Sequence, residues 1–216
     1  MLNIFIGTDA RQPVAYNTLQ YSILANTSLP ITITPLKIQT LPVKRMGLTE
    51  FTYSRYLVPW LCDYQGQALF LDADMVVDFD IEELFRLDNQ ECGVSVVKKD
   101  KKFEWPSLML FNCELCQRLR PDIVEFGVPQ DLASWSDGGI GELPLEWNYC
   151  VGYDQQDIVP KLIHFTAGIP IWPETRDSKF ADVWHKYWRA ANSSVSFAEL
   201  MGTSVHVEKV QTGAIK

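Results

Sequence analysis

Residues 67–77, QALFLDADMVV, constrain the fold more than any other stretch of the chain. The run is too short for a core helix and too continuously apolar for a strand with one wet face. It reads as a strand buried on both faces, the kind found in a parallel sheet covered by helices. Such a strand requires helices on either side, and the flanking sequence supplies them. LNIFIG, closed by Gly7, reads as a first strand, and residues 11–28 read as a helix with Pro13 in its opening turn. ITITPLKI is a strand by its β-branched alternation. From Thr49 to Cys62, Tyr53, Tyr56, Leu57, Trp60 and Leu61 recur at helical spacing despite Pro59, with Arg55 outside the stripe. Farther on, IEELFRL predicts a short helix, CGVSVVK and SLMLFN two strands, CELCQRL the opening of another helix, and KLIHF a strand. Residues 127–152 are rich in Gly and Pro and read as a long loop region beside a site. Phe180, Val183, Trp184, Tyr187 and Trp188 mark a carboxy-terminal helix with an aromatic face. The fold class is α/β, a single domain, since 216 residues support one substantial core.

Charge narrows the partners. With 19 Lys and Arg against 27 Asp and Glu the net charge is -8, so nucleic acid approaches against a repulsive mean field and is excluded as a partner. Lys98, Lys99, Lys101 and Lys102, interleaved with Asp100 and Glu104, read as a solvated loop. No stretch approaches 18 apolar residues, so no transmembrane segment is expected. The amino terminus carries no basic leader, and five cysteines make an odd number. Free thiols and a cytoplasmic location are the expectation. Cys113 and Cys116 form a C-x-x-C with no second pair to complete a zinc tetrad.

The buried strand surfaces as Asp72-Ala73-Asp74. In open α/β sheets ligands bind at the carboxyl ends of strands, and strand alternation sends Asp72 and Asp74 to one side with Ala73 turned away. Two hard oxygen ligands on one side suit one divalent cation, Mg²⁺ or Mn²⁺, with positions left for water and phosphate. The same pattern fits a phosphohydrolase in which the first aspartate is a nucleophile. Such enzymes carry the motif near the chain start with a second acidic pair downstream, and no Asp-Asp pair follows here.

The order IFIGTD, TEFTYSRYLVPWL, ALFLDADMVV, LPLEWNY and LIHFTAGIPIW resembles the family 8 glycosyltransferases and their bacterial relatives over positions 3 to 172. That resemblance implies the glycosyltransferase A fold, a Rossmann-like mixed sheet flanked by helices. The activity it implies is metal-dependent, retaining transfer of a hexose from a UDP-sugar to an unknown acceptor. It further implies a nucleotide-binding half in residues 1–100, an acceptor side with the metal histidine in 101–175, and carboxy-terminal helices in 176–216. By similarity, Asp72, Asp74 and His164 ligate Mn²⁺ (or Mg²⁺). Gly7, Thr8, Asp9, Arg55, Gly168 and the Asp72-Ala73-Asp74 segment contact the nucleotide-sugar, and Asp137 is the candidate at the reacting sugar. Trp147 and Asn148 match the family's W-N. Three departures stand out: Pro170 occupies the place of a diphosphate lysine, Trp105-Pro106-Ser107 replaces N-A-G, and SWSDGGIGELP is only the nearest counterpart of the acidic stretch before W-N. The missing lysine keeps a non-catalytic nucleotide-sugar binding module open as a rival, beside a phosphohydrolase or nucleotidyltransferase using the same aspartates. Trp105, Trp135 and Trp172 are candidates to stack on sugar faces.

Overall fold

The computed structural model describes residues 1–87, 91–100, 102–128, 132 and 135–193. In chain order its elements are β1 (Leu2–Gly7), α1 (Pro13–Asn26), β2 (Ile31–Leu36), α2 (Val58–Leu61), β3 (Gln67–Leu71), β4 (Met75–Val77) and α3 (Glu82–Phe85). There follow β5 (Val94–Val96), β6 (Leu108–Asn112), α4 (Pro121–Phe126), β7 (Ile140–Glu142), β8 (Tyr149–Cys150), β9 (Leu162–His164) and α5 (Ala181–Asn192). A six-stranded sheet runs β2-β1-β3-β6-β5-β7, and a three-stranded sheet runs β4-β9-β8. β1 pairs parallel with β2 and β3, while β6 runs antiparallel to both β3 and β5, so the large sheet is mixed.

The apolar run of β3 is buried on both faces, as expected. Leu69 and Leu71 join Ile4, Ile6, Leu108 and Leu110 in the core under α1 and α5. Ala68 and Phe70 join Phe5, Met109 and Phe111 in a second core on the opposite face. The period of two that divides these residues between cores also delivers Asp72 to the side of Ala68 and Phe70.

α1 is less apolar on its buried face than its spacing suggests. Ala15, Thr18, Leu19, Ser22 and Ile23 are buried, while Tyr21 and Leu24 are exposed. Ser22 explains the preference: its Oγ donates to Leu19 O and accepts from Val77 N at 3.1 Å, tying α1 to the edge of β4. Asn26 Nδ2 donates to Val77 O and to Tyr187 Oη, linking α1, β4 and α5 at one point. Ser22→Ala removes the acceptor of a buried N–H and is expected to cost about 1–3 kcal/mol. A thermal or urea midpoint unchanged from wild type would show that Val77 N finds another partner.

Two helices differ from their sequence spacing. Residues 49–62 do not form one helix. Thr49 N donates to Thr52 Oγ1 at 3.0 Å, a side chain that competes with helical backbone pairing. Residues Ser54–Leu57 form a 3₁₀ turn, and α2 then occupies one turn with Pro59 near its start, where a missing N–H is tolerated. CELCQRL likewise yields only a 3₁₀ turn over Cys113–Leu115. The helix starts later, at Pro121, because proline holds Arg120 extended, with φ -95° and ψ 156°. The described residues of 127–152 carry the short β7 and β8 among turns. α5 forms as expected, with Trp184 and Tyr187 buried and Trp188 stacked on Trp184 at 5.8 Å. The remainder of the expected carboxy-terminal segment, 194–216, lies outside the described residues. Among the described residues no helix is long and apolar enough to cross a membrane.

Candidate active site

Asp72-Ala73-Asp74 is the crossover between the two sheets. Asp72 N donates to Ser107 O at 2.9 Å, holding the segment to the large sheet, and Phe165 N donates to Asp74 O at 3.0 Å, holding it to the small one. The antiparallel register of β4 and β9 sets Met75 opposite His164. Strand pairing thereby carries an imidazole 90 residues along the chain to the two carboxylates. One ligand atom from each of Asp72, Asp74 and His164 lies within 4.8 Å of the others.

The electrostatics are those of a site short of positive charge. Asp72 Oδ1 lies 3.1 Å from Arg55 Nη2, and Asp74 Oδ1 lies 3.2 Å from His164 Nε2. Neither approach runs along a hydrogen-bonding direction, so both buried oxygens lack a hydrogen-bond partner. Burial pushes the Asp72 carboxyl up to about 7 against the opposing pull of Arg55, with Asp74 adding repulsion. Burial also works against charge on His164, but the charge of Asp74 outweighs it and holds the imidazole well above its usual pKa. Two orphaned carboxylate oxygens beside a histidine nitrogen suit a divalent cation, which would satisfy both oxygens at once.

Arg55 is fastened for its task. Nη1 donates to Pro106 O at 2.6 Å, Nε donates to Phe51 O at 3.2 Å, and the guanidinium lies 4.9 Å from the Phe70 ring centroid. The turn that breaks the expected helix therefore aims this side chain at Asp72.

The far side of His164 is equally ordered. Nδ1 lies 3.2 Å from Asn148 Oδ1, 3.6 Å from Cys150 Sγ and 3.8 Å from Glu104 Oε2. Asn148 Nδ2 donates to Ser107 Oγ at 2.8 Å, and Ser107 Oγ donates to Glu104 O at 2.6 Å. This chain turns the amide oxygen of Asn148 toward the ring, so Nδ1 carries a proton, and Nε2, facing Asp74, is the nitrogen whose proton a cation would displace. Ser107, in the place of the family's glycine, is thus the support of the W-N asparagine.

Arg55, Asp72, Asp74, Glu104 and His164 line a cleft of about 470 Å³. A small recess of about 80 Å³, lined by Asp9, Arg11, Ala73 and Asp74, leads away from it. Asp9 also borders a further cavity of about 310 Å³ with Thr8 and Tyr16, past the ends of β1 and β2. Asp9 is engaged by Arg11, whose Nε donates to Oδ1 at 2.9 Å and which holds the carboxyl below its usual pKa. Thr8 Oγ1 donates to Leu36 O at 2.7 Å. Gly7 lies against Phe51, where a Cβ would sit 2.5 Å from the ring.

Other expected residues fall elsewhere. Asp137 does not line the cleft: its Oδ1 lies 2.5 Å from Arg118 Nε, and its N donates to Leu115 O. Gly168 sits at φ +115° in the turn after Thr166, where its N donates to Phe165 O, beyond the cleft wall. Trp135 is buried against Tyr56 with ring centroids 5.5 Å apart, Trp105 Nε1 donates to Lys99 O, and Trp172 is exposed. The lysine loop is not simply solvated. Lys99 is half-buried, with its side chain in an ion pair with Asp154, and Glu104 is buried at the cleft. Sequence reading missed Glu104 because it follows a run of lysines, and no pattern at that position separates it from a surface charge.

The sequence model of Glycosyl transferase family 8 matches residues 8–118. Protein CDI of Arabidopsis thaliana is 32% identical over 218 residues, spanning 84% of this chain and 83% of that protein. The chain belongs to glycosyltransferase family 8. Solved structures agree on the fold of this glycosyltransferase. The bifunctional glycosyltransferase WbbM aligns with a TM-score of 0.64 at 15% identity over 92% of the chain. GlyE of Streptococcus pneumoniae aligns with 0.61 at 16% over 88%. The galactosyltransferase LgtC, solved with donor and acceptor sugar analogues, aligns with 0.59 at 10% over 91%. The family 8 chain spans 50% of WbbM, 63% of GlyE and 99% of LgtC.

Proposed function

We propose that this family 8 glycosyltransferase transfers a hexose from a UDP-sugar to an unknown acceptor with retention of anomeric configuration, using Mn²⁺ or Mg²⁺ held by Asp72, Asp74 and His164. The observation that carries the reading is the approach of those three ligand atoms to within 4.8 Å, with Oδ1 of both aspartates left without a hydrogen bond. When bound, the cation supplies Lewis-acid neutralisation of charge on a departing diphosphate. Arg55 keeps Asp72 in place and partly compensates its charge before any ligand arrives. Asn148 engages Nδ1, which leaves Nε2 as the nitrogen that would ligate a cation once its proton is displaced. The recess between Asp74 and Asp9 and the cavity beyond it, which share Asp9 in their walls, suit a nucleoside diphosphate, with Asp9 as a polar partner of the base or ribose. This assigns the nucleotide to residues 1–100 and the acceptor side to 101–175. Retention is carried over from the family resemblance. Free thiols at Cys62, Cys92, Cys113, Cys116 and Cys150 support a cytoplasmic setting.

A thermal-shift panel of UDP, GDP, ADP and NAD, each with and without Mn²⁺, tests the reading. A ligand at 100 times its dissociation constant adds about 2.7 kcal/mol, which moves the midpoint by roughly 5–11 °C for a chain of this size. A shift with UDP that requires Mn²⁺ is expected; shifts indifferent to metal would sink the metal-bridged site. The role of Asn148 has its own test. Asn148→Leu is expected to weaken Mn²⁺ binding about 10–100-fold in an electron paramagnetic resonance titration, and unchanged affinity would reduce Asn148 to a packing role.

A further inference from the structure

His164 has a second set of metal-ligating neighbours, on the face turned away from Asp72 and Asp74. Cys150 stands directly across from His164 in the parallel β8/β9 register, which brings its thiol beside the ring. Cys150 Sγ lies 3.6 Å and Glu104 Oε2 lies 3.8 Å from His164 Nδ1, and the three ligand atoms are within 4.8 Å of one another. Asn148 Oδ1 closes the group at 3.2 Å from Nδ1 and 3.7 Å from Sγ. All four residues are buried. Tetrahedral zinc with its usual bond lengths of about 2.0–2.3 Å sets neighbouring ligand atoms about 3.4–3.6 Å apart, so small side-chain movements bring this group to that geometry. The mixture of thiolate, imidazole and oxygen donors favours zinc over Mn²⁺ or Mg²⁺, which prefer oxygen. Glu104 and His164 also line the open cleft, giving an ion a path inward.

We propose that Cys150, His164 and Glu104, completed by Asn148 or a water, form an inhibitory Zn²⁺ site that excludes the cation held by Asp72 and Asp74. Zinc takes the place of the proton between Nδ1 and Asn148. The Cys150 thiol and the imidazole Nδ1 release their protons to solvent, and Nε2 keeps its own beside Asp74. A neutral imidazole has one lone pair, so Nε2 then presents N–H to Asp74 and no longer ligates. The zinc site stands on its own geometry; the inhibition rests on the proposed role of Asp72, Asp74 and His164.

Metal-free full-length protein titrated with Co²⁺, a spectroscopic stand-in for zinc, tests the site. The expected result is one Co²⁺ per chain with a thiolate-to-cobalt charge-transfer band that Zn²⁺ bleaches. The band is lost in Cys150→Ser, weakened in Glu104→Gln and retained in Cys62→Ser, with circular dichroism establishing that each variant is folded. Absence of the band, or its survival in folded Cys150→Ser, overturns the site; if Cys150→Ser does not fold, an undiminished band in Glu104→Gln does so. Mn²⁺ titrated with and without one equivalent of Zn²⁺ tests the exclusion, with a loss of affinity of about 10–100-fold expected and, by reciprocity, the same factor for Zn²⁺ in the presence of Mn²⁺. Mn²⁺ binding that ignores zinc overturns the inhibition. Failure of Mn²⁺ to bind even without zinc overturns the Asp72–Asp74–His164 reading and the inhibition with it, while the cobalt band still reports on the zinc site.

Discussion

Asp74→Asn is expected to lower kcat/KM for sugar transfer by about 10²–10³-fold, the scale set by loss of one preorganised electrostatic group, and to abolish the Mn²⁺-dependent stabilisation by UDP. Asparagine keeps the shape of the side chain, and the backbone oxygen that accepts from Phe165 N is untouched. The fold should survive, so the loss isolates the charge. Oδ1 of Asp74 has no hydrogen bond to lose, and its contact with His164 Nε2 at 3.2 Å is charge-based. The same substitution removes the anion that holds the His164 pKa up, so the imidazole turns neutral without becoming a competent partner of a depleted ligand set. The measurements are product formation with the UDP-sugar selected by screening, and a thermal-shift comparison with wild type. Full transfer activity with unaltered metal dependence in the variant would remove Asp74 from the mechanism.

Arg55→Leu is expected to destabilise the metal-free protein by about 3–5 kcal/mol, because breaking a buried ion pair from one side leaves a charge without compensation. At about 2–4 °C per kcal/mol the midpoint falls by roughly 6–20 °C. The side chains of Arg55 and Asp72 are 8% and 13% exposed, so solvent screens the pair little. Protonation softens the effect, since burial already pushes Asp72 up to about 7 and the lone carboxyl takes up a proton more readily still; the lower end of the range is the sharper expectation. Arg55→Lys should recover only part, because an ammonium cannot serve Pro106 O, Phe51 O and Asp72 together. Combining Arg55→Leu with Asp72→Asn tests the cause. Recovery of part of the lost midpoint assigns the cost to the uncompensated carboxylate, whereas an additive or larger loss assigns it to the three anchoring contacts of the guanidinium.

The proposed zinc site makes one histidine the meeting point of two chemistries. Its Nε2 faces oxygen ligands at the cleft and its Nδ1 faces a thiol, an amide and a buried carboxylate. The arrangement depends on β9 being the central strand of the small sheet, with β4 and β8 on either side delivering the two environments.

The amino-acid sequence by itself determined the layered α/β fold, the doubly buried β3, the exit of that strand as Asp72-Ala73-Asp74, and the family. Each is written in local pattern: apolar runs of strand length, helical spacing, and motifs at strand ends whose chemistry follows from adjacency along the chain. His164 was legible through its motif, although nothing in its spacing says which carboxylate it meets. Only the tertiary structure decided that Arg55 balances Asp72, that Asn148 and Ser107 orient the imidazole, that Glu104 is a cleft carboxylate, and that Asp137 pairs with Arg118 away from the cleft. These outcomes depend on side chains brought together by turns and strand register rather than by periodicity. Pro59 and the Thr49–Thr52 contact convert an expected helix into the turn that aims Arg55, and a glutamate from a lysine-rich loop is buried beside His164 of β9. Charge and spacing describe what a residue can do, but burial and partner decide whether it does so, and both are properties of the assembled core.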